Sequence, residues 1–232
     1  MFRDASTLLP GGMNVNFRGT ACIITRVSRS YQLKRRAERQ DQTRQRIIEA
    51  TIELHQTIGP KATTFSEVAE RAKVGRVTVY RHFPDEPTLS RACSGHYFER
   101  HPFPDPGRWL AIADPVERLR TGLRETYAYH RATEPMFTRA LADARDHPVM
   151  EPYHAHWRHA ADVLTKPWRE RGRRRTLLRA GIAVALSFDT WRALTREQQF
   201  TDQQALELML RLTCDCAGDP HGRTDNAARV KR

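Results

Sequence analysis

Residues 64–83 read TFSEVAERAKVGRVTVYRHF, and this stretch decides the fold. It opens with a capping box, because the hydroxyl of Thr64 can accept the amide proton of Glu67 while the Glu67 carboxylate returns to the backbone of Thr64. The apolar positions that follow have helical spacing, residues 73–75 (Lys-Val-Gly) make a turn, and residues 76–83 form a second, shorter helix. Two helices joined by a turn of three or four residues form a helix-turn-helix.

The second helix of this motif is too short to be stable alone, so neighbouring helices must hold it in place. Its spacing predicts that Val77, Val79 and Phe83 face the core. In such a helix Arg can read guanine edges, and Tyr and His can donate to phosphates. The side chains left on the outside are Arg76, Thr78, Tyr80, Arg81 and His82. The alternative is an ordinary helical hairpin whose polar groups are simply solvated.

Residues 43–89 resemble the DNA-binding domain of the tetracycline-repressor (TetR) family of transcription regulators. The matching residues are Thr63 and Thr64 before the second helix, Val68 and Ala69 within it, Val74 in the turn, and Thr78, Val79, Tyr80, His82 and Phe83 in the third helix. The resemblance implies contacts to phosphates or bases from Thr64, Thr78, Tyr80 and His82, with Arg76 and Arg81 beside them. Lys73, in the turn, is a further DNA-binding candidate.

Three positions depart from the family pattern. Lys73 stands where Gly is usual, and a non-Gly residue adopts a left-handed conformation only at some cost. Gly75 replaces Ser as the cap of the third helix, which is a modest loss. Glu86 and Pro87 stand where a Lys is expected in the first turn of the fourth helix, so the phosphate contact that this Lys would make is not supplied here.

The charge distribution favours a polyanionic partner. The formal net charge of the 232 residues is +12, and residues 34–46 (KRRAERQDQTRQR) hold six basic side chains against two acidic ones. We expect this segment to be an arm that lies along a DNA duplex or enters its minor groove, with Lys34, Arg35 and Arg36 as candidate contacts. The alternative is a solvated helical extension. Residues 1–40 are predicted to be a poorly ordered basic extension.

Several classes of protein are disfavoured by the sequence. The four cysteines are scattered and give neither a disulfide framework nor a convincing zinc signature. No secretory signal peptide is evident, and the longest apolar run, residues 180–186, is too short to span a bilayer. The sequence therefore predicts a cytoplasmic protein with no membrane partner, and it gives no reason to expect a cofactor.

The rest of the chain predicts an all-α fold. The expected helices cover residues 115–132, 134–145, 148–170, 174–196 and 202–215. The predicted domains are a helix-turn-helix domain at 41–101, a helical ligand-binding and dimerisation domain at 102–216 and a polar tail at 217–232.

Helix 174–196 is apolar nearly all round between Leu177 and Phe188, so both of its sides must be covered. Together with helix 202–215, which has a wide apolar stripe, it predicts a four-helix dimer interface, as in TetR-type proteins. The candidate interface residues are Ala183, Leu186, Leu208 and Leu212. The alternative is a buried central helix in a monomer.

The same domain contains bulky amphipathic residues that can line a pocket for a moderately large apolar or aromatic ligand. These are Tyr127, His130, Met136, Phe137, Tyr153, Trp157, Phe188 and Trp191. For any one of them, ordinary core packing is the simpler interpretation.

A metal-binding interpretation rests on Asp143, His147, Glu151 and His154, which include one Glu-x-x-His motif. Carboxylate-bridged di-metal bundles need that motif twice together with two further carboxylates, and the chain has no second copy.

We therefore interpret the sequence as a homodimeric regulator without catalytic residues. It is expected to be a repressor that binds a near-palindromic operator in double-stranded DNA and is released by a small apolar or aromatic effector. The alternatives are a helical metalloenzyme and a DNA-binding protein that takes no small ligand.

Overall fold

The computed structural model describes the backbone of residues 18–217 and the side chains of residues 31–216. Within this part of the chain the regular structure is entirely helical, which confirms the predicted all-α class. The first four helices are α1 (Arg18–Thr57), α2 (Phe65–Arg71), α3 (Arg76–His82) and α4 (Glu86–Arg100). They are followed by α5 (Pro106–Trp109), α6 (Pro115–Ala144), α7 (Glu151–Thr165), α8 (Gly172–Ala185), α9 (Phe188–Arg192) and α10 (Asp202–Ala217). A 3-10 turn (Pro148–Met150) precedes α7, and a π-helical turn (Ala193–Glu197) follows α9.

Side-chain caps fix the starts of α2, α4 and α6 where the sequence predicts them. Thr64 and Glu67 form the reciprocal capping box of α2. The carboxylates of Asp85 and Asp114 accept the backbone amides of Thr88 and Glu117, in both cases at 2.7 Å. Each cap satisfies a helix-end donor that has no partner within its helix.

The chain divides into residues 1–46 and residues 47–232. The second unit contains two apolar cores. One is formed by the end of α1 together with α2, α3 and the start of α4, and its buried residues include Ile47, Leu54, Val68, Val79, Phe83 and Leu89. The other is formed by α5 to α10 and the end of α4, which contributes Tyr97. α4 thus belongs to both cores, since Leu89 and Cys93 lie in the first and Tyr97 lies in the second.

The start of α1 differs from the expectation of a poorly ordered extension. The helix begins at Arg18, so residues 18–40 of the predicted extension are helical, whereas residues 1–17 lie outside the described residues. No apolar stripe marks this segment, which is why the periodicity does not reveal it. However, residues 20–58 contain neither Gly nor Pro and are rich in Arg, Glu and Gln, all good helix formers.

Three predicted helix boundaries are wrong. Helices 115–132 and 134–145 are one helix, α6, which continues through Pro135. Helix 174–196 is broken at residues 186–187 into α8 and α9, and the extended backbone of Ser187 allows both Phe188 and Trp191 to enter the core. Helix 148–170 is shorter than expected, since residues 148–150 form a 3-10 turn and α7 ends at Thr165. The Pro-rich residues 101–107 lead into the one-turn helix α5, which Asp105 caps.

At the other end of the chain, the predicted polar tail at 217–232 lies outside the described residues except for Ala217, the last residue of α10. In the described part, none of the helices has both the length and the apolar character needed to cross a bilayer.

Candidate nucleic-acid interface and ligand-binding core

Two side chains hold α3 against the first core. Val79 and Phe83 are four residues apart and fully buried, and they pack among residues from α1, α2 and α4. A seven-residue helix has too few internal hydrogen bonds to be stable alone, so this burial is what fixes its orientation. The remaining sides of α3 are therefore presented in a defined direction.

The outer face of α3 contains the polar residues that the sequence places there. Arg76, Tyr80 and Arg81 are exposed, and Thr78 and His82 are half-buried. The prediction that Val77 faces the core is wrong, because Val77 is 77% exposed. Successive residues of a helix are about 100° apart, so Val77 lies roughly 200° from Val79 and on the opposite side.

Thr64 and Tyr80 are positioned by local contacts. The hydroxyl of Thr64 accepts the Glu67 amide at 3.3 Å and lies 2.9 Å from the Glu67 carboxylate, so capping already uses it. The ring of Tyr80 packs against Phe65 with 4.8 Å between the ring centroids, which orients the phenol at the surface. Tyr80 can therefore offer a hydroxyl to a phosphate from a fixed ring.

The turn between α2 and α3 places Lys73 at the surface in a left-handed conformation, with φ of 54°. The amide of Val74 donates to the Ala69 carbonyl at 3.0 Å, which closes the end of α2. Lys73 thus adopts the left-handed backbone conformation that favours glycine, as its position in the motif predicts.

In the first unit, the candidate arm residues lie on α1. Lys34, Arg35 and Arg36 are all exposed, and the guanidinium of Arg35 lies 5.7 Å from the centroid of the Tyr31 ring. The segment thus presents positive charge to solvent, as a phosphate-binding surface requires.

The second core brings the predicted pocket residues together. Seven of the eight are buried, and Trp157 is partly buried against them. The ring centroids of Phe137 and Tyr153 lie 4.5 Å apart, those of His130 and Trp157 5.1 Å, and those of Phe188 and Trp191 5.6 Å. These separations are typical of packed aromatic pairs.

Two polar contacts tie this aromatic core to the end of α8. The hydroxyl of Tyr127 donates to the Ala185 carbonyl at 3.1 Å, and Nε2 of His130 lies 3.0 Å from the Leu186 carbonyl. Both carbonyls belong to the end of α8, whose last acceptors have no partners within the helix. Tyr127 and His130 on α6 therefore fix the position of the C-terminus of α8.

Other aromatic residues of this core are absent from the predicted set. They include Tyr97, Phe98, Phe103, Trp109, Tyr129, His156 and Trp168. Tyr129 lies two residues from Tyr127, so the two side chains do not belong to one helical stripe. Tyr129 is nevertheless buried, because α6 contacts α5, α7, α9 and α10 and is covered on most of its sides. Phe103 belongs to the Pro-rich segment, where no periodicity marks it as buried.

Two cavities lie beside these rings. One of about 160 Å³ lies between α6, α7 and the α8–α9 junction, and its lining includes Tyr153, Trp157, Leu186 and Phe188. Another, of about 90 Å³, lies between α4 and α6, and its lining includes Tyr97, Phe98, Met136 and Phe137. Both contact predicted pocket residues, and the second also contacts α4, which carries part of the first core.

The structure does not bring the candidate metal ligands together. The Asp143 carboxylate accepts the Lys61 amide at 3.2 Å, and Nδ1 of His147 accepts the Val149 amide at 3.2 Å. Glu151 pairs with Arg158, and Nε2 of His154 lies 2.9 Å from the Arg145 carbonyl. Among the described residues no group of three or more potential ligands is arranged to hold a metal ion, so the metalloenzyme alternative lacks support.

The candidate dimer residues divide into two groups. Leu186 is buried in the chain's own core at the end of α8, which differs from the expectation that it contacts a partner. Ala183 and Leu212 are exposed, and Leu208 is half-buried. Leu177, Val184 and Leu212 are 50%, 53% and 50% exposed, so α8 and α10 share an uncovered apolar face.

The helix-turn-helix with its exposed basic and aromatic α3 is the part of the chain that a family model matches. Residues 47–89 match the family model described as "Bacterial regulatory proteins, tetR family". This match confirms the resemblance that the motif residues predict, and it covers the helix-turn-helix together with the end of α1 and the start of α4.

Two relatives extend the comparison beyond the motif. The chain is 36% identical over 83 residues to the HTH-type transcriptional repressor KstR of Mycolicibacterium smegmatis, which is 36% of this chain and 41% of that protein. It is 35% identical over 106 residues to KstR of Rhodococcus jostii, which is 45% of this chain and 48% of that protein. The chain thus spans less than half the length of these relatives.

The fold is also that of a solved regulator. A TetR-like transcriptional regulator from Rhodococcus sp. RHA1 superposes with a TM-score of 0.54 at 17% identity, covering 76% of this chain and 96% of the other. At this identity the likeness shows the fold alone.

Proposed function

We propose that this protein is a transcriptional repressor that binds a near-palindromic DNA operator as a homodimer and is released by a small apolar effector. The observation that carries the proposal is the geometry of α3, which Val79 and Phe83 fix in place while its basic and aromatic residues are presented outwards. The two repressor relatives support the same activity.

The outer face of α3 supplies two kinds of contact. Arg76 and Arg81 have the planar donor geometry that binds guanine in the major groove, and these contacts carry sequence information. Tyr80 and His82 donate to phosphates, which position the protein without specifying a base. The exposed cations at residues 34–36 add phosphate contacts and salt dependence.

Dimerisation supplies the two-fold symmetry of the operator. The uncovered face of α8 and α10 contains three large apolar side chains that are half exposed. Burying this face against the same face of a second copy forms a two-fold interface of four helices. Each protomer then presents one α3 to one half-site.

The effector would bind in the aromatic core, and α4 would carry the response. α4 contributes Leu89 and Cys93 to the core that holds α3, and it contributes Tyr97 to the aromatic core. A ligand that prefers one packing of the aromatic core therefore shifts the equilibrium between positions of α4 and of α3. The proposed role is regulatory rather than enzymatic, and the protein would act on DNA in the cytoplasm.

Selection of bound duplexes from a random DNA pool tests this function without assuming any operator sequence. We expect the full chain to enrich one sequence with two inverted half-sites. The Arg76→Ala/Arg81→Ala double variant should enrich none, because the base-reading donors are lost while Val79 and Phe83 still hold the helix. If the wild-type chain enriched no sequence from the random pool, this result would contradict the proposal.

A further inference from the structure

His130 is fully enclosed by aromatic rings. Its ring centroid lies 5.1 Å from that of Trp157, 5.5 Å from that of Phe188 and 5.8 Å from that of Trp191. Trp191 already donates its Nε1 proton to Asp202 and Phe188 has no polar atom, whereas Nε1 of Trp157 has no hydrogen-bond partner among the described residues. The partners of the two His130 ring nitrogens determine what the residue can bind.

One of the two ring nitrogens has a partner and the other has none. Nε2 lies 3.0 Å from the Leu186 carbonyl, which can only accept, so Nε2 carries the proton. Burial lowers the pKa of His130 to about 4, so the ring is neutral at physiological pH. Nδ1 is then a bare acceptor, and it has no hydrogen-bond partner among the described residues.

The preceding residue of α6 carries a second buried polar atom without a partner. The hydroxyl oxygen of Tyr129 has no hydrogen-bond partner in the described part of the chain, and the rings of Tyr129 and His130 both contact Trp157. Burial raises the pKa of Tyr129, so the phenol remains protonated and can donate. An unsatisfied buried polar group costs about 1–3 kcal/mol, so two such groups on adjacent rings indicate that something else satisfies them.

The adjoining cavity has room for such a partner. The cavity of about 160 Å³ is lined by Trp157 and Phe188, two of the rings that cover His130, and by Leu186, whose carbonyl His130 contacts. Arg145 and Asp189 also line it, and they form an ion pair at 2.8 Å. His130 itself does not line this cavity, so a ligand held there reaches it only after the Trp157 and Phe188 rings rotate.

We propose that the effector is an uncharged, largely apolar molecule with a hydroxyl group that donates to Nδ1 of His130, while the hydroxyl of Tyr129 donates to an oxygen of the same molecule. This inference rests on the proposed ligand-responsive function and names the ligand class for its site. The charged side chains at this cavity, Arg145 and Asp189, are paired with each other, so a charged ligand would lose its hydration without gaining an unpaired counter-ion. The carbon skeleton of the effector lies against Trp157 and Phe188.

The same histidine links the ligand to the dimer face. Nε2 of His130 holds the end of α8, and α8 contributes Leu177 and Val184 to the uncovered face. A hydrogen bond at Nδ1 fixes the orientation of the ring, and this orientation sets the position of the Leu186 carbonyl. Ligand binding therefore acts on the helix through which we propose that two copies associate.

Two matched probes test the hydroxyl requirement in the full-length protein. 2-Naphthol and 2-methoxynaphthalene share one ring system and one oxygen, but only 2-naphthol has a hydroxyl proton to donate. We expect tryptophan fluorescence titrations to show at least about tenfold tighter binding of 2-naphthol, which corresponds to about 1.4 kcal/mol. His130→Phe should remove this difference. His159→Phe, the same substitution at an exposed histidine of α7, should keep it.

Tyr129→Phe distinguishes a loss of ligand binding from a loss of folding. It removes an oxygen that has no hydrogen-bond partner among the described residues, so its melting temperature should equal or exceed that of the wild type while its affinity for 2-naphthol falls. Equal wild-type affinity for the two probes, no binding of either probe up to its solubility limit, or an unchanged preference in His130→Phe would overturn the proposal. Selection of bound DNA is measured separately, so a chain that prefers 2-naphthol but enriches no duplex disproves the repressor function and not the ligand class.

Discussion

At the residue scale, Val77 and Lys73 both occupy costly positions beside the proposed DNA-reading surface. Val77 exposes 77% of its surface in the first turn of α3. Lys73 holds a left-handed backbone with φ of 54° in the turn that precedes it. An exposed valine and a strained lysine add nothing to the stability of the fold, so we expect both to act in binding.

We predict that Val77 contacts the 5-methyl group of a thymine. Replacing one operator thymine by deoxyuridine removes only that methyl group, and it should weaken wild-type binding by about 1 kcal/mol. Val77→Ala should bind the normal and the deoxyuridine duplexes equally well. Leu110→Ala, at an exposed leucine outside the motif, should respond to the base change as the wild type does. Wild-type binding that tolerates deoxyuridine at every thymine would exclude this role.

For Lys73, we predict a trade of stability against affinity. Lys73→Gly should raise the free energy of unfolding by about 1 kcal/mol, because glycine adopts this backbone conformation without steric cost. It should also weaken DNA binding and reduce the salt dependence, because a surface cation is lost. Lys73→Ala provides the control, since it removes the charge but keeps the strain. If urea unfolding gave Lys73→Ala a free energy of unfolding equal to or higher than that of Lys73→Gly, the result would argue against strain at this position.

At the element scale, α8 and α10 combine a closely packed inner side with an uncovered outer side. On the inner side of α8, Leu178, Ile182 and Ala185 are fully buried. The outer side of the pair contains Leu177, Val184 and Leu212, each about half exposed. Because Leu177 and Val184 are seven residues apart, they lie on one face of α8.

We predict that this outer side is the dimer interface. Val184→Arg and Leu212→Arg should each convert dimers to monomers, because a desolvated guanidinium would have no partner in the interface. Light scattering at micromolar concentration measures the change. Leu110→Arg, at an exposed leucine on another surface, should leave the dimer intact. A monomeric wild type, or interface variants that remain dimeric, would contradict the assignment.

The elements that could be predicted from the sequence are those with strong local signals. The capping residues Thr64, Asp85 and Asp114 mark helix starts without reference to the rest of the fold. By contrast, Pro135 suggests a break, yet α6 continues because packing on several sides outweighs the one lost hydrogen bond. The break at Ser187 has no glycine or proline to mark it, since it results from tertiary packing of Phe188 and Trp191.

The same limit applies to the candidate sites. The exposed polar residues of α3 can be predicted because the motif fixes which sides are buried. The prediction for Val77 is wrong because an apolar side chain in a short helix is expected to face the core. The unpartnered atoms of Tyr129 and His130 cannot be predicted at all, since they depend on contacts between α6, α7 and α9.

At the scale of the whole molecule, buried neutral histidines couple the stability of the protein to pH. Burial lowers the pKa of His55 and of His130 from 6.5 to about 4. Both rings are therefore neutral in the folded protein under conditions where the unfolded chain is protonated. This stabilising effect is complete above pH 6.5 and is lost as the pH falls towards 4.

We predict that the free energy of unfolding falls by about 2 kcal/mol per buried histidine between neutral pH and about pH 5. Carboxylates such as Asp202, whose pKa the Arg131 contact lowers below 3.8, contribute only at lower pH. Chemical denaturation of the wild type and of His130→Phe at a series of pH values measures the effect. The variant should show a smaller slope between pH 6.5 and 4. Identical slopes for the two proteins would show that His130 does not titrate as its burial requires.

Equilibrium binding to DNA tests the central claim most directly. The full chain, Arg76→Ala, Arg81→Ala and Tyr80→Phe are titrated with the selected duplex and with a scrambled duplex of the same composition, at two salt concentrations. We predict that the wild type prefers the selected duplex and that loss of an arginine that contacts guanine costs roughly 1–3 kcal/mol on that duplex alone. Tyr80→Phe should weaken both duplexes alike. Equal wild-type affinity for the two duplexes, or no effect of any substitution, would contradict the proposal that α3 reads DNA.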